Sequence, residues 1–176
     1  SVTGVQTCAL PILAPYCPRC GTGLSDHEIS QGYETVTDPS VYVRFPITTG
    51  ELKDLNAALL VWTTTPWTLI SNTAVAANSE VDYVAVKVTK DETSEVLVLA
   101  EALLSKLDGE TEVLKRYKGR DLERLTYSRP FNVVEIPNAH FVVLADYVTT
   151  EDGSGLVHQA PAFGADDLKK IGRAHV

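Results

Sequence analysis

Apolar and polar positions alternate in short runs along most of this chain, which predicts a protein built mainly from strands. Val41, Val43 and Phe45 share one face of a run that begins at Val41. Leu59 to Trp62 is continuously apolar and runs into Thr63, Thr64 and Thr65. Thr73–Ala77 is a run of small residues, and Asp82–Val88 alternates again. Asp91-Glu92 marks a turn before Val96–Leu99, and Val113–Tyr117 reads as a further strand. The nearly continuous apolar run from His140 to Val148 predicts a central strand. Leu156–Gln159 predicts a short strand with a polar end. The spacing suggests a β-meander closing into a barrel or a sandwich.

Helical signals are fewer. Leu103, Leu104 and Leu107 fall on one stripe, with Gly109 just beyond, so Glu101–Leu107 is predicted as a helix. A second helix is expected to begin at Asp166 or Asp167 and to include Leu168 and Ile171; an aspartate there normally caps the helix, and two allow one to cap while the other faces the preceding loop. Ser30–Ser40 is polar and reads as a linker.

The end of the threonine run carries chemistry. Hydroxyls delivered by a buried strand need partners, and Pro66, lacking an amide hydrogen, stops the ladder. Two readings follow: a strand with a polar end and two core tryptophans, or a strand that brings hydroxyls and freed amides to a pocket mouth. Pro161 ends the Leu156–Gln159 ladder in the same way.

Composition narrows the function classes. The chain has 176 residues, enough for one good core and a small appendage. No run approaches a membrane span. A formal charge of −8 argues against a surface built to coat nucleic acid, though gripping one RNA end needs few contacts. Lys115, Arg116, Lys118, Arg120, Arg124 and Arg129 form the basic-rich region, either a phosphate contact or a solvated loop. The chain has three cysteines and no methionine. Cys17 and Cys20, in C-x-x-C followed by Gly21, suit one turn around a tetrahedral ion, but two thiolates are half a site, and His27 is the nearest further candidate. Two free thiols in a surface loop are the alternative. Residues 1–12 and 171–176 lack usable periodicity, resemble translated adapter sequence and are read as non-native ends, so Cys8 and His175 carry no weight here.

Three stretches together carry a resemblance. The string Trp62-Thr63-Thr64-Thr65-Pro66-Trp67-Thr68 resembles the threonine-rich peptide of the isoleucyl-tRNA synthetase editing domain. Gly153–Asp167 resembles that family's second editing peptide, and Tyr16–Gly21 its zinc half-site, in the same order. The valyl and leucyl relatives usually carry Arg-Pro where this chain has Thr65-Pro66, which favours the isoleucyl branch. Ile70 departs from a proline common in the family.

The resemblance implies a mixed α/β, mainly β, barrel-like editing domain with short helices. It would span residues 34–170, be truncated on its C-terminal side, and follow a partial zinc-knuckle and linker segment at 13–33. It implies hydrolysis of misacylated valyl-tRNA(Ile), with valyl-adenylate as a further possible substrate, inside an ATP- and Mg-dependent ligase whose synthetic part lies elsewhere. One missing methylene is worth only about 1–3 kcal/mol in a binding pocket, and this family is the type case of that limit. A second, hydrolytic site corrects the resulting errors.

By the same resemblance, Asp167 would receive the substrate ammonium. His158 would bond the terminal ribose or ester, for orientation more than base catalysis. Thr63, Thr64 and Thr65 would line the acyl group, with Thr64 and Asn72 near the adenosine and the water. Trp62, Trp67, Thr68, Phe163 and Gly164 complete the expected substrate contacts, and Thr65, Trp67 or Phe163 would supply the size filter. No Ser-His-Asp order or activated cysteine lies beside these peptides, so a positioned water is the expected nucleophile. Expected partners are the tRNA(Ile) acceptor end and the rest of the synthetase chain, in the cytoplasm and without a membrane. Editing needs no cofactor on this reading, zinc belongs to the full-length protein, and the isolated chain is expected to be weak or inactive. The competing readings are a non-catalytic RNA-end-binding module and a structural insertion of a class I synthetase.

Overall fold

The computed structural model describes residues 15–31, 37, 39–133, 135–164 and 167. The chain divides into two compact units, Ser1–Thr37 and Asp38–Val176.

In the first unit, β1 (Tyr16–Cys17) and β2 (Thr22–Gly23) form an antiparallel pair. Gly21 closes the turn at φ 70°, a left-handed conformation that glycine adopts without penalty, and its amide donates to the Cys17 carbonyl at 2.9 Å. The stretch expected to be linker begins as a short helix, α1 (Asp26–Gln31). Ser25 and Glu28 cap it reciprocally: the Ser25 amide donates to Glu28 Oε2 at 2.8 Å, and the Glu28 amide to Ser25 Oγ at 3.4 Å.

The second unit is dominated by one eight-stranded mixed sheet. Its strands are β3 (Val41–Pro46), β4 (Ala57–Thr63), β5 (Ala74–Ala77), β6 (Asp82–Lys90), β7 (Thr93–Ala100), β8 (Glu110–Lys118), β9 (Phe141–Leu144) and β10 (Val157–Gln159). The order is β8-β6-β7-β4-β10-β5-β9, with β3 paired to β4. A four-residue helix, α2 (Glu51–Asp54), joins β3 to β4.

Local chemistry explains the elements. Asp91 and Glu92 both adopt positive φ, 49° and 67°, giving a tight two-residue turn that matches strand twist, so β6 and β7 pair in register from Tyr83↔Ala100 to Lys90↔Thr93. Leu59, Val61, Val84, Val86, Val98 and Leu99 are buried in the core, and each such side chain contributes about 1.5–3 kcal/mol. The small residues of β5 are buried throughout, which suits a strand flanked on both edges.

Several expectations are corrected. The sheet is not a meander: β4 lies parallel to both β7 and β10, and β5 parallel to β9. The regular strands run in an open order, without the expected barrel closure among the described residues. Two isolated bridges, Ile47↔Tyr127 and Thr126↔Phe141, nonetheless tie the end of β3 to β9. Glu101–Lys106 is a 3-10 turn rather than an α-helix; its apolar stripe holds, with Leu103 buried and Leu104 and Leu107 packed on the core, but six residues between two strands suit the tighter winding. The apolar run 140–148 is neither a long strand nor central. β9 ends at Leu144 because its partner β5 ends at Ala77, and Asn78 Nδ2 then holds the turn by donating to the Asp146 and Val148 carbonyls at 3.3 and 2.9 Å. The basic region is mostly strand β8 and a 3-10 turn, Gly119–Leu122. Lys115 meets Glu51, Arg116 meets Glu101, Lys118 meets Asp82, and Arg120 meets Glu80. Exposed pairs of this kind stabilise little, but they favour the solvated alternative over a phosphate contact for these four side chains.

Candidate functional site

The two motif peptides meet because β4 and β10 are neighbours. Val157 pairs with Trp62, and the Trp62 amide donates to the Leu156 carbonyl at 3.3 Å. Both ladders end here, as the prolines require: β4 stops at Thr63 and β10 at Gln159. A pocket of about 400 Å³ opens between the two ends.

Thr63, Thr64, Thr65 and Thr68 form one wall. Pro66 begins a 3-10 turn, Pro66–Ser71, which folds Thr68 back beneath the threonine run. The hydroxyls of Thr63, Thr65 and Thr68 are partnered locally. The Thr65 amide donates to Thr63 Oγ1 at 3.0 Å, and Thr68 Oγ1 donates to the Thr65 carbonyl at 2.8 Å. His158 and Asp167 line the same pocket, with Trp67 and Phe163 also lining it and exposed. Trp62 lines the floor, and an added Cβ on Gly153 would come within 2.8 Å of its ring.

His158 Nε2 lies 2.8 Å from Thr68 Oγ1. That hydroxyl has one proton, which the Thr65 carbonyl accepts, so the ring nitrogen is the donor in this pair. His158 is therefore the Nε2–H tautomer, with its unprotonated Nδ1 buried and unbonded among the described residues. Burial holds the His158 pKa below the ordinary histidine value, while the Asp167 carboxylate pulls it the other way. The net result is a neutral imidazole at neutral pH.

Among the described residues, Asp167 is held by a backbone amide. The Ala160 amide, freed from the ladder, donates to Asp167 Oδ2 at 2.7 Å. This leaves Oδ1 to meet a ligand. Gly164 does not line the pocket; it backs the carboxylate, where a Cβ would sit 3.1 Å from Asp167 Cγ. Asp166 and the helix expected from 166 to 171 lie outside the described residues, Asp167 excepted.

Asn72 departs most from expectation. It is fully buried behind the pocket, not in it. Its Nδ2 donates to the Ala74 carbonyl at 2.9 Å, and its Oδ1 accepts from the Tyr127 hydroxyl at 2.7 Å. Both functions of its amide are spent on the fold. Its backbone amide also closes the 3-10 turn, onto the Leu69 carbonyl at 3.1 Å. Sequence reasoning missed Ala160, whose role follows from chain logic: Pro161 ends the strand, and the last amide needs an acceptor.

Cys17 is half-buried and Cys20 exposed, both as free thiols. Hydrogen bonds from the Cys20 backbone and side chain hold the Cys17 pKa below the ordinary thiol value. His27 is engaged with Gln31 at 3.0 Å. No group of three or more His, Cys, Asp or Glu side chains able to hold a metal occurs among the described residues. The donors here do not complete a tetrahedral zinc site.

Burial has a pH consequence. His158 and His140 are both held below the ordinary value of 6.5, chiefly by desolvation. The unfolded chain thus binds these protons more readily than the folded one. Stability is whole above 6.5 and is lost as pH falls from there through the folded-state values. Melting temperature should fall on acidification from about pH 7 to about pH 5.5, and His158→Gln should remove part of that fall. An NMR titration midpoint for His158 at or above the ordinary value would contradict this.

The fold places the chain in a class. It resembles the crystal structure of the P. knowlesi cytosolic leucyl-tRNA synthetase editing domain, with a TM-score of 0.61 at 15% identity over 77% of this chain and 63% of that one. The fold is therefore that of an aminoacyl-tRNA synthetase editing domain. Sequence carries the assignment further. The isoleucine–tRNA ligase of Thermobifida fusca is 66% identical over 160 residues, 89% of this chain, and that of Streptomyces coelicolor is 63% identical over the same length. The chain belongs to the isoleucine–tRNA ligase family and corresponds to its editing domain. It spans about 15% of the length of these curated relatives. No family model matches it.

Proposed function

We propose that this domain hydrolyses the ester of misacylated valyl-tRNA(Ile) within an ATP- and Mg-dependent isoleucine–tRNA ligase of the cytoplasm. The observation that carries the proposal is the convergence of Thr63–Thr65, His158 and Asp167 on one pocket of about 400 Å³. A buried aliphatic side chain, an ammonium and a ribose ester need just such a mixture of methyls, hydroxyls and one carboxylate.

In the proposed reaction Asp167 Oδ1 pairs with the substrate ammonium, and the Ala160 amide fixes the carboxylate. The threonine wall holds the acyl group. A water adds to the ester carbonyl, the bond from that carbon to the ribose oxygen breaks, and the proton of the water passes to the ribose oxygen. Neutral His158 orients the ribose end, with Thr68 fixing its ring. The methyls and rings of Thr65, Trp67 and Phe163 limit the side chain admitted. Asn72 enters as a support for the 3-10 turn rather than as a substrate contact. Zinc, if bound by Cys17 and Cys20, requires further ligands from the remainder of the synthetase and stays structural. The hydrogen bonds through Ile47, Thr126, Tyr127 and Phe141 support reading the sheet as barrel-like.

Turnover of valyl-tRNA(Ile) by the full-length parent protein tests the proposal. Hydrolysis of the valyl ester with sparing of the isoleucyl ester is expected. Binding of the charged tRNA without turnover would instead support an RNA-end-holding module.

A further inference from the structure

A second polar cavity, of about 310 Å³, is lined by residues distinct from those of the threonine pocket. The chain leaves the sheet at Tyr127 and returns at His140, and the Tyr127 amide closes this neck on the His140 carbonyl at 3.0 Å. A loop of this size with pinned ends is an Ω-loop, a form that usually serves a function. Ser128, Arg129, Asn132, Glu135 and His140 line the cavity inside it.

Two observations point to a ligand. His140 Nε2 is buried with no partner among the described residues, a state that costs about 1–3 kcal/mol unless something bonds it. His140 also sits at φ 66°, an unfavoured left-handed conformation for a residue with a side chain, held by its amide on the Thr73 carbonyl at 2.7 Å. Strain and an unspent nitrogen at one point are a reason to look for a partner. The Arg129 guanidinium lines the same cavity and reaches Asn132 Oδ1 at 3.1 Å.

The chemistry is that of a phosphodiester with a hydroxyl beside it. Arg129 and Ser128 donate to phosphate oxygens, and His140 Nε2 can donate or accept. Glu135 on the rim opposes a doubly charged free phosphate but accepts from a ribose hydroxyl, the group that marks RNA. The position is suitable too. His140 bonds to Thr73, and the Thr73 amide bonds to Gln159, next to His158. Two strand spacings, roughly 10 Å, therefore separate the backbones at the two sites.

We infer that the cavity formed by Ser128, Arg129, Glu135 and His140 holds a ribose-phosphate unit of the RNA strand whose aminoacylated end occupies the threonine pocket. This rests on the function proposed above and adds the partner contact that would position the ester.

Arg129→Gln in the full-length synthetase tests it. KM for valyl-tRNA(Ile) deacylation should rise about tenfold with kcat within about twofold, and the slope of log KM against log salt should shrink by about one. Arg129→Lys should keep the salt slope, which separates charge from folding. The same slope change is expected in binding of a non-hydrolysable valylamido-tRNA(Ile), so the test does not depend on turnover. Inorganic phosphate at matched ionic strength should compete no better than chloride. Unchanged KM and slope in Arg129→Gln would overturn the inference. So would competition by inorganic phosphate that Arg129→Gln abolishes while RNA affinity stays the same, since the site would then serve a free anion. Loss of turnover in the unmodified enzyme, with the binding slope still responding to Arg129, would count against the proposed hydrolysis alone.

Discussion

Asp167→Ala in the full-length enzyme is expected to reduce valyl-tRNA(Ile) deacylation by about a hundredfold to a thousandfold while isoleucine activation continues unchanged. The magnitude follows from removing one partner of a desolvated charge pair, about 3–4 kcal/mol. Alanine also strips the acceptor from the Ala160 amide, so a loss with this variant alone mixes two causes. Asp167→Asn separates them, because the amide oxygen can still accept from Ala160 while the charge is gone. It should fail nearly as badly. Retention of most activity by Asp167→Asn would show that the carboxylate positions the loop and does not receive an ammonium.

The second large effect is on folding. Gly155→Ala should destabilise the chain by about 2–4 kcal/mol, measured by equilibrium denaturation. Gly155 lies at φ 73°, and a Cβ there would approach the Ala100 Cβ to 2.5 Å. The site has no slack. Tyr83 donates to the Gly155 carbonyl at 2.7 Å, and the Ala100 amide donates to the Ser154 carbonyl at 2.9 Å. These bonds hold the turn that launches β10, and with it His158. A midpoint within a few tenths of a kcal/mol of the unsubstituted chain would mean that this turn is looser than its packing implies.

Alternation, as in Val41–Phe45 and Asp82–Val88, and short apolar runs, as in Leu59–Trp62, located most strands, because a side chain on a strand must face either core or solvent. It could not give their order. Nothing in the run Leu156–Gln159 says that its neighbour is β4, almost a hundred residues earlier, yet that parallel pairing creates the pocket. Both prolines were legible for a local reason: each lacks a ladder donor, so each marks the place where polar groups leave the sheet. Asn72 was named from the resemblance alone; its bond with Tyr127, distant in sequence, is invisible to any local pattern. In the basic region the structure favours the solvated alternative for Lys115, Arg116, Lys118 and Arg120, whose carboxylate partners in α2, β6 and the segments beside it no local pattern could name. Of the second cavity, the sequence showed only Arg129, as one end of the basic-rich region, and His140, at the start of an apolar run. The cavity exists because Tyr127 and His140 pin a loop whose residues show no periodicity.

The proposed hydrolysis requires one pocket to receive both the bulk and the charge of an aminoacyl ester. A crystal structure of the domain within its full-length protein, bound to 3′-valylamino-adenosine, tests this most directly. The valyl ammonium should lie within hydrogen-bond distance of the Asp167 carboxylate, with the side chain against Thr63–Thr65 and the ribose beside His158. The analogue seated elsewhere, for example in the cleft of about 260 Å³ under Arg44 and Glu95, would contradict it.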